Sequence, residues 1–283
     1  MAELLTRDGT WTFDGDLIRI VPGRERGVHQ IRQALGEIAV PLTAVAGIAF
    51  EPGKKGGRLR LRLRDGADPF ARMAGGQLND GADPYRLGVE SDRTGVAEYF
   101  VDEVRNSLLL AQVPDGPADA YLMPGPRVPL TAGAGDGTVS FDGERVRLEW
   151  NWMTEEVKKS SGPQQFTVAD VDGVEWLPCI GLENGYLRFR LKGTSAPLAP
   201  KHDPHCLTWG IRREGGTTVL IAAAVAARLP HPYAPDEPEA PAAAPAADHD
   251  ALLRRLRELG ELHRDGILTD EEFTAAKRKL IDG

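Results

Sequence analysis

Cysteine is scarce in this chain: Cys179 and Cys206 are the only two in 283 residues. That is too few for a disulfide framework and points to a reducing compartment. Long apolar runs are missing too. The longest, Val219 to Ala227, falls far short of the roughly 20 residues that a membrane span needs. Met1 to Asp8 has no basic start followed by an apolar stretch, so no signal peptide is read. The expected location is the cytoplasm, with any membrane contact peripheral. An excess of positive charge is also lacking. The formal net charge of -8 argues against a broad nucleic-acid surface, which needs clustered Lys and Arg. Gly-x-Ser-x-Gly, a Walker loop, a Rossmann glycine fingerprint and His-Glu-x-x-His are all absent. Gly53, Gly56 and Gly57 bracket Lys54 and Lys55, but they precede a strand, which does not build a phosphate cradle. The expectation is a non-enzyme without a cofactor.

What the chain has is a repeat. Asp8-Gly9-Thr10-Trp11-Thr12-Phe13-Asp14-Gly15 returns as Asp136-Gly137-Thr138-Val139-Ser140-Phe141-Asp142-Gly143. Val45 to Pro52 is answered by Val171 to Pro178, and Arg58 to Leu63 by Tyr186 to Leu191. Ordered matches at a nearly constant offset mean one unit written twice.

Copy one, residues 1–110, opens with short apolar segments punctuated by Asp-Gly, a strand-and-turn signature. Arg58-Leu59-Arg60-Leu61-Arg62-Leu63-Arg64 alternates without a break, predicting a strand with one leucine face and one arginine face. Val96, Phe100, Val104 and Leu108, four apart, predict a closing amphipathic helix. Residues 111–129 carry five prolines and read as an extended linker. Copy two, 130–229, repeats the order, with an alanine-rich final helix and most of the tryptophan. At this length each copy is expected to bury its own core.

Residues 230–249 form a Pro/Ala tract too poor in large apolar side chains to fold alone, a tether. Residues 250–283 read as a helical hairpin. Leu252, Leu256, Leu259 and Leu262 form the stripe of its first helix, and Phe273, Ala276 and Leu280 that of its second. Thr269 and Glu272 have capping-box spacing. A hairpin with so little core is marginal alone, so these residues are candidates for contact with a protein partner or with another copy of the chain.

Many short strands followed by one helix is an α+β order shared by pleckstrin-homology-like barrels, although other α+β or sandwich arrangements give a similar string. The expected fold is two tandem barrels of that kind, each a bent antiparallel sheet with a C-terminal helix, followed by the hairpin. Phe-Asp-Gly, the Val-x-Gly-Ile/Val segment before Pro, the alternating basic strand and Asp-Pro before the last strand resemble the duplicated bacterial domain-of-unknown-function 4429 proteins. Leu252 to Leu280, with its Asp-Gly-Ile-Leu-Thr and Glu-Glu-Phe, resembles the short C-terminal domain called SHOCT. The first resemblance supplies an architecture and no activity; the second implies oligomerisation or regulation.

The sharpest charged feature is Arg58, Arg60, Arg62 and Arg64 with Lys54 and Lys55 before them. Side chains on alternate strand positions could converge on anionic lipid headgroups; equally, an alternating strand needs a solvated face, and arginine supplies one. The second reading is preferred. His202-Asp203-Pro204-His205-Cys206 with Cys179 holds ligand-type side chains, but the spacing matches no zinc signature. Asp65, Asp68, Asp80 and Asp83 lack the spacing of a calcium loop and are better read as turn formers. No metal is expected. Glu149-Trp150-Asn151-Trp152 is read as core or interface packing in preference to an aromatic platform.

Overall fold

The computed structural model describes residues 1–194, 198–210, 215–234, 257–261, 263–264 and 269–282, with 279–282 described by backbone alone. It divides into two units, Met1–Ala234 and Pro235–Gly283.

In the first half of the larger unit, β1 (Ala2–Leu5), β2 (Gly9–Phe13), β3 (Leu17–Pro22) and β4 (Ile38–Pro41) form an antiparallel meander. A second meander follows: β5 (Val45–Gly53), β6 (Gly56–Leu63) and β7 (Arg86–Glu90). Short helices α1 (Gln30–Leu35) and α2 (Pro69–Ala74) interrupt the two sheets, and α3 (Thr94–Ala111) ends the half. The second half repeats this order. Its sheets are β8 (Leu130–Ala134), β9 (Gly137–Phe141), β10 (Arg145–Trp150) and β11 (Gln164–Thr167), then β12 (Val171–Leu177), β13 (Gly185–Leu191) and β14 (Cys206–Trp209). Helix α4 (Glu156–Ser160) corresponds to α1, and α5 (Thr218–Ala226) to α3.

The predicted α+β class and antiparallel strands are present. A closed barrel is not seen among the described residues: hydrogen-bonded pairing stops at the edges of a four-stranded and a three-stranded sheet in each half. β6 behaves as its alternation dictates, with Leu59 and Leu61 buried and Arg58, Arg60 and Arg62 exposed. The hairpins that follow β2 and β9 match atom for atom. Asp14 Oδ1 accepts from the Asp16 and Leu17 N–H groups, and Asp142 Oδ1 from those of Glu144 and Arg145. These amide donors hold both carboxyls below the usual range.

The expectation of two separate cores needs correction, because the buried side chains of both halves form one continuous cluster. α5 lies on β8, β9, β12 and β13 of its own half and against α2 of the other. Every residue from Thr218 to Ala226 is buried, which explains its composition: a helix covered all round needs apolar side chains, and alanine permits close approach.

The proline-rich stretch between the copies also differs from an extended linker. The Ala118 N–H donates to Asp65 O, and those of Leu122 and Met123 donate to Ala67 O. Further on, His231 Nε2 lies 2.9 Å from Gly66 O and Tyr233 Oη donates to Asp65 at 2.5 Å. Gly66 has φ +77°, and a Cβ there would fall 2.9 Å from Ala118 O. The Asp65-Gly66 turn thus anchors chain segments on both sides of the second half, and its glycine supplies both the backbone conformation and the clearance.

In the smaller unit, α6 (Asp270–Asp282) starts at the predicted capping box. The Thr269 N–H donates to Glu272 Oε2 at 3.0 Å, and the Glu272 N–H to Thr269 Oγ1 at 3.4 Å. His263 stacks on Phe273 with centroids 4.6 Å apart. Of the predicted contact residues, Leu259 and Phe273 are half-buried. Leu252, Leu256 and Leu262 lie outside the described residues, as does the side chain of Leu280.

Candidate functional site

The basic strand β6 is the charged feature that the sequence singles out. Arg58 pairs with Asp80 at 2.5 Å, and Arg86, which lies opposite Arg60 on β7, pairs with both Asp80 and Asp83. Arg64 is committed to structure: its guanidinium donates to the carbonyls of Thr43, Gly116 and Pro117, pinning the inter-copy segment. Arg60 and Arg62 are exposed, as are Lys54 and Lys55 at the hairpin tip. The six predicted positions therefore divide. Four remain on the surface without a salt bridge among the described residues, one is paired, and one is a structural clamp. In the second half the matching strand is less open still, with Arg188 buried near Glu175 and Asp203.

The His-Asp-Pro-His-Cys segment builds a turn. Asp203 Oδ1 accepts from the His205 N–H at 2.9 Å, just as Asp83 Oδ1 accepts from the Tyr85 N–H. Burial pushes the Cys206 thiol up to about 12, far from thiolate chemistry at neutral pH. Cys179 lies on another hairpin, its Sγ 2.9 Å from Glu183 O. No group of three ligand-type side chains converges among the described residues. Of the four aspartates weighed for calcium, Asp68 caps α2, accepting from the Phe70 and Ala71 N–H groups and from Tyr85 Oη at 2.5 Å. Burial raises its carboxyl above the ordinary value.

Sequence reasoning missed a charged pair that occurs once in each half. Asp8 Oδ1 pairs with Arg32 of α1 at 2.8 Å, and its Oδ2 accepts from the Gly88 N–H of β7 at 3.0 Å. Asp136 Oδ2 pairs with Lys158 of α4 at 2.7 Å, and the same carboxylate accepts from the Thr208 N–H and Oγ of β14 at 2.7 Å. Each carboxylate ties the first sheet to the last strand of the second. Lys158 is completely buried, donates also to Cys206 O at 2.8 Å and lies over the Trp150 ring. A signal did exist: the base follows its aspartate by 24 residues in one copy and 22 in the other.

A concave site forms where the halves meet. Trp176 and Trp209, with centroids 6.4 Å apart, border a cleft of about 340 Å³ whose opposite wall is His29, Ile31 and Gln77 to Asn79. Trp176 Nε1 donates to Thr218 Oγ1 at 3.1 Å, fixing that ring against the start of α5.

Paired antiparallel halves, each with four strands, then three, then a helix, define a duplicated α+β protein joined through a shared interior. The domain of unknown function DUF4429 matches residues 11–105 and 139–226, and the short C-terminal domain SHOCT matches 254–281. The chain belongs to the DUF4429 family, with two copies of its domain and a SHOCT tail. No curated protein matches it.

Proposed function

We propose that this chain is a non-enzymatic binding or scaffold protein of the cytoplasm: a duplicated, pleckstrin-homology-like body that self-associates or docks to partners through its SHOCT tail. The observation that carries this reading is the tail itself. Its match covers residues 254–281, and α6 carries Phe273 and Ala276 on its less exposed side, with Asp270, Glu271 and Glu272 in its first turn. So short a unit gains most by packing against another surface, and tethering it to a larger body raises the effective concentration of each for the other's ligands. The pleckstrin-like reading of each half draws support from the sequence of two meanders and a C-terminal helix. No described helix is long and apolar enough to cross a membrane.

Removal of Asp250 to Gly283 is expected to lower the mass measured by light scattering at matched concentration. An unchanged mass would refute self-assembly through the tail.

A second reading, binding of anionic lipid, rests on Lys54, Lys55, Arg60 and Arg62, which remain exposed and outside the salt bridges described above. Under it, Arg60→Glu with Arg62→Glu abolishes salt-sensitive sedimentation with phosphatidylglycerol vesicles. Unchanged sedimentation would remove this surface from consideration.

A further inference from the structure

The two halves meet through unlike surfaces of one repeated unit. Copy one contributes His29 and Ile31 at the start of α1, together with α2 and Gln77 to Asn79 beyond it. Copy two contributes α5, β12 and the β12–β13 hairpin, with Pro178, Cys179 and Gly181. A unit present twice and joined through two different surfaces leaves one surface of each kind unused. On copy two that is the start of α4, and on copy one it is α3 with the β5–β6 tip. The same relation applied once more adds a second molecule, which is the logic of a heterologous interface.

The unused surfaces carry large apolar side chains in water. His29 and Glu155 hold the N-cap positions of α1 and α4, so Val157 stands where copy one has Ile31. Ile31, at the junction, is 3% exposed, and Val157 is 52% exposed. The loop leading into α4 adds Trp152, 82% exposed, and Met153. Copy one has Arg24, Glu25 and Arg26 in its own loop before α1, so the fold does not require apolar side chains there. On the other surface α3 leaves Val96 and Tyr99 exposed, whereas its counterpart α5 is buried throughout. Apolar groups gathered in this way mark interaction sites.

Charge matches the two surfaces to each other. In the repeat alignment Pro52 to Lys55 answers Pro178 to Gly181. Inside the molecule Gly181 borders the cleft whose other wall holds His29 and Ile31. The same relation between molecules sets Lys54 and Lys55 across from Glu155, Glu156 and Val157. These four charged side chains are exposed and outside the salt bridges among the described residues. Lys159 on the same short helix turns back to donate to Trp152 O at 3.2 Å, and Glu51 at the foot of the tip lies opposite Arg58. Opposite charges in register give such a contact its specificity.

We infer that a second copy of the chain docks head to tail, its β5–β6 tip and α3 against the Trp152 to Val157 surface, repeating between molecules the junction that joins the halves. Between β13 and β14 the described residues of copy two hold no counterpart of α2, so this contact is smaller than the internal one and of the weak, reversible kind. Both surfaces lie within Met1–Ala234, so the inference is independent of any assembly through the tail.

Disulfide trapping in the full-length chain tests it. Lys55→Cys protein is mixed with Glu156→Cys protein under mild oxidation. The mixture is expected to give about tenfold more linked dimer than either variant alone, or than Lys55→Cys mixed with Arg145→Cys, an exposed position on β10. Cys179 and Cys206 are present in every sample and contribute equally. In sedimentation velocity, Lys54→Glu with Lys55→Glu, or Glu155→Lys with Glu156→Lys, is expected to weaken concentration-dependent association about tenfold, and the chain carrying all four exchanges regains it. Val157→Ser, at an exposed position, weakens it without reference to charge. A mixed pair no richer in dimer than its controls, reversals without effect, or a fourfold exchange that fails to restore association would each overturn the assignment.

Discussion

α3 and α5 hold the same place in the two halves, yet α3 has a wet face and α5 has none. α3 buries Ala97, Phe100, Val101 and Val104 and turns Glu98, Asp102 and Asn106 outward. α5 carries no charge from Thr218 to Ala226 and buries all of it. The cause lies outside both helices. α2 exists in copy one because Asp68 caps it and Pro69 presets its first turn. Between β13 and β14 the described residues of copy two hold no such helix. The first half therefore covers the second half's helix, and nothing described covers α3 in return. Duplication preserved the strand order, and one extra turn of helix made the halves unequal.

The largest test of this comparison concerns the paired aspartates. Lys158→Ala leaves Asp136 buried without its base and is expected to cost about 3–5 kcal/mol in urea unfolding, the range for breaking a buried pair. Arg32→Ala is expected to cost less, because Asp8 is about one-third exposed and water can replace the lost partner. Equal losses would mean that the two pairs do the same work despite their different burial.

Next in size is overpacking. Ala223→Leu in α5 is expected to cost about 1–3 kcal/mol, since Ala223 is fully buried and a larger side chain cannot swing out into water. Glu98→Leu on the outer face of α3 should stay within about 0.5 kcal/mol of wild type. A tolerated Ala223→Leu would mean that α5 and α2 separate easily.

The smallest effect is a pH dependence confined to copy one. The folded-state pKa of Asp68 is raised by burial above its ordinary 3.8, so the folded protein keeps a proton that the unfolded chain releases. The stability this contributes is complete below about pH 4 and drains away as pH rises through the raised value. Asp68→Asn keeps an acceptor for the cap and cannot ionise. The urea midpoint of the variant should therefore gain on wild type across that interval and level off above it. A difference that does not vary with pH would contradict the raised carboxyl.

Much of the fold was legible because turn chemistry and alternation are local. Asp14-Gly15 and Asp142-Gly143 spell the same hairpin, and Arg58 to Leu63 declares both faces of its strand. The arginine surface was legible as a face and not as a site. Nothing local says that Asp80 pairs with Arg58 or that Arg64 will clamp carbonyls 52 and 53 residues away. The Trp176–Trp209 cleft was invisible for the same reason: its walls come from segments a hundred residues apart.

By itself, then, the chain determined that one pattern of strands, turns and closing helix is written twice and followed by a capped helical tail, because propensity and periodicity act within a few residues. Only the tertiary structure decided that the halves merge, that α5 goes dry against α2, and that a cleft bordered by Trp176 and Trp209 opens at their junction. Those outcomes depend on which surfaces meet across long loops, and burial assigns that choice only when the whole body has folded.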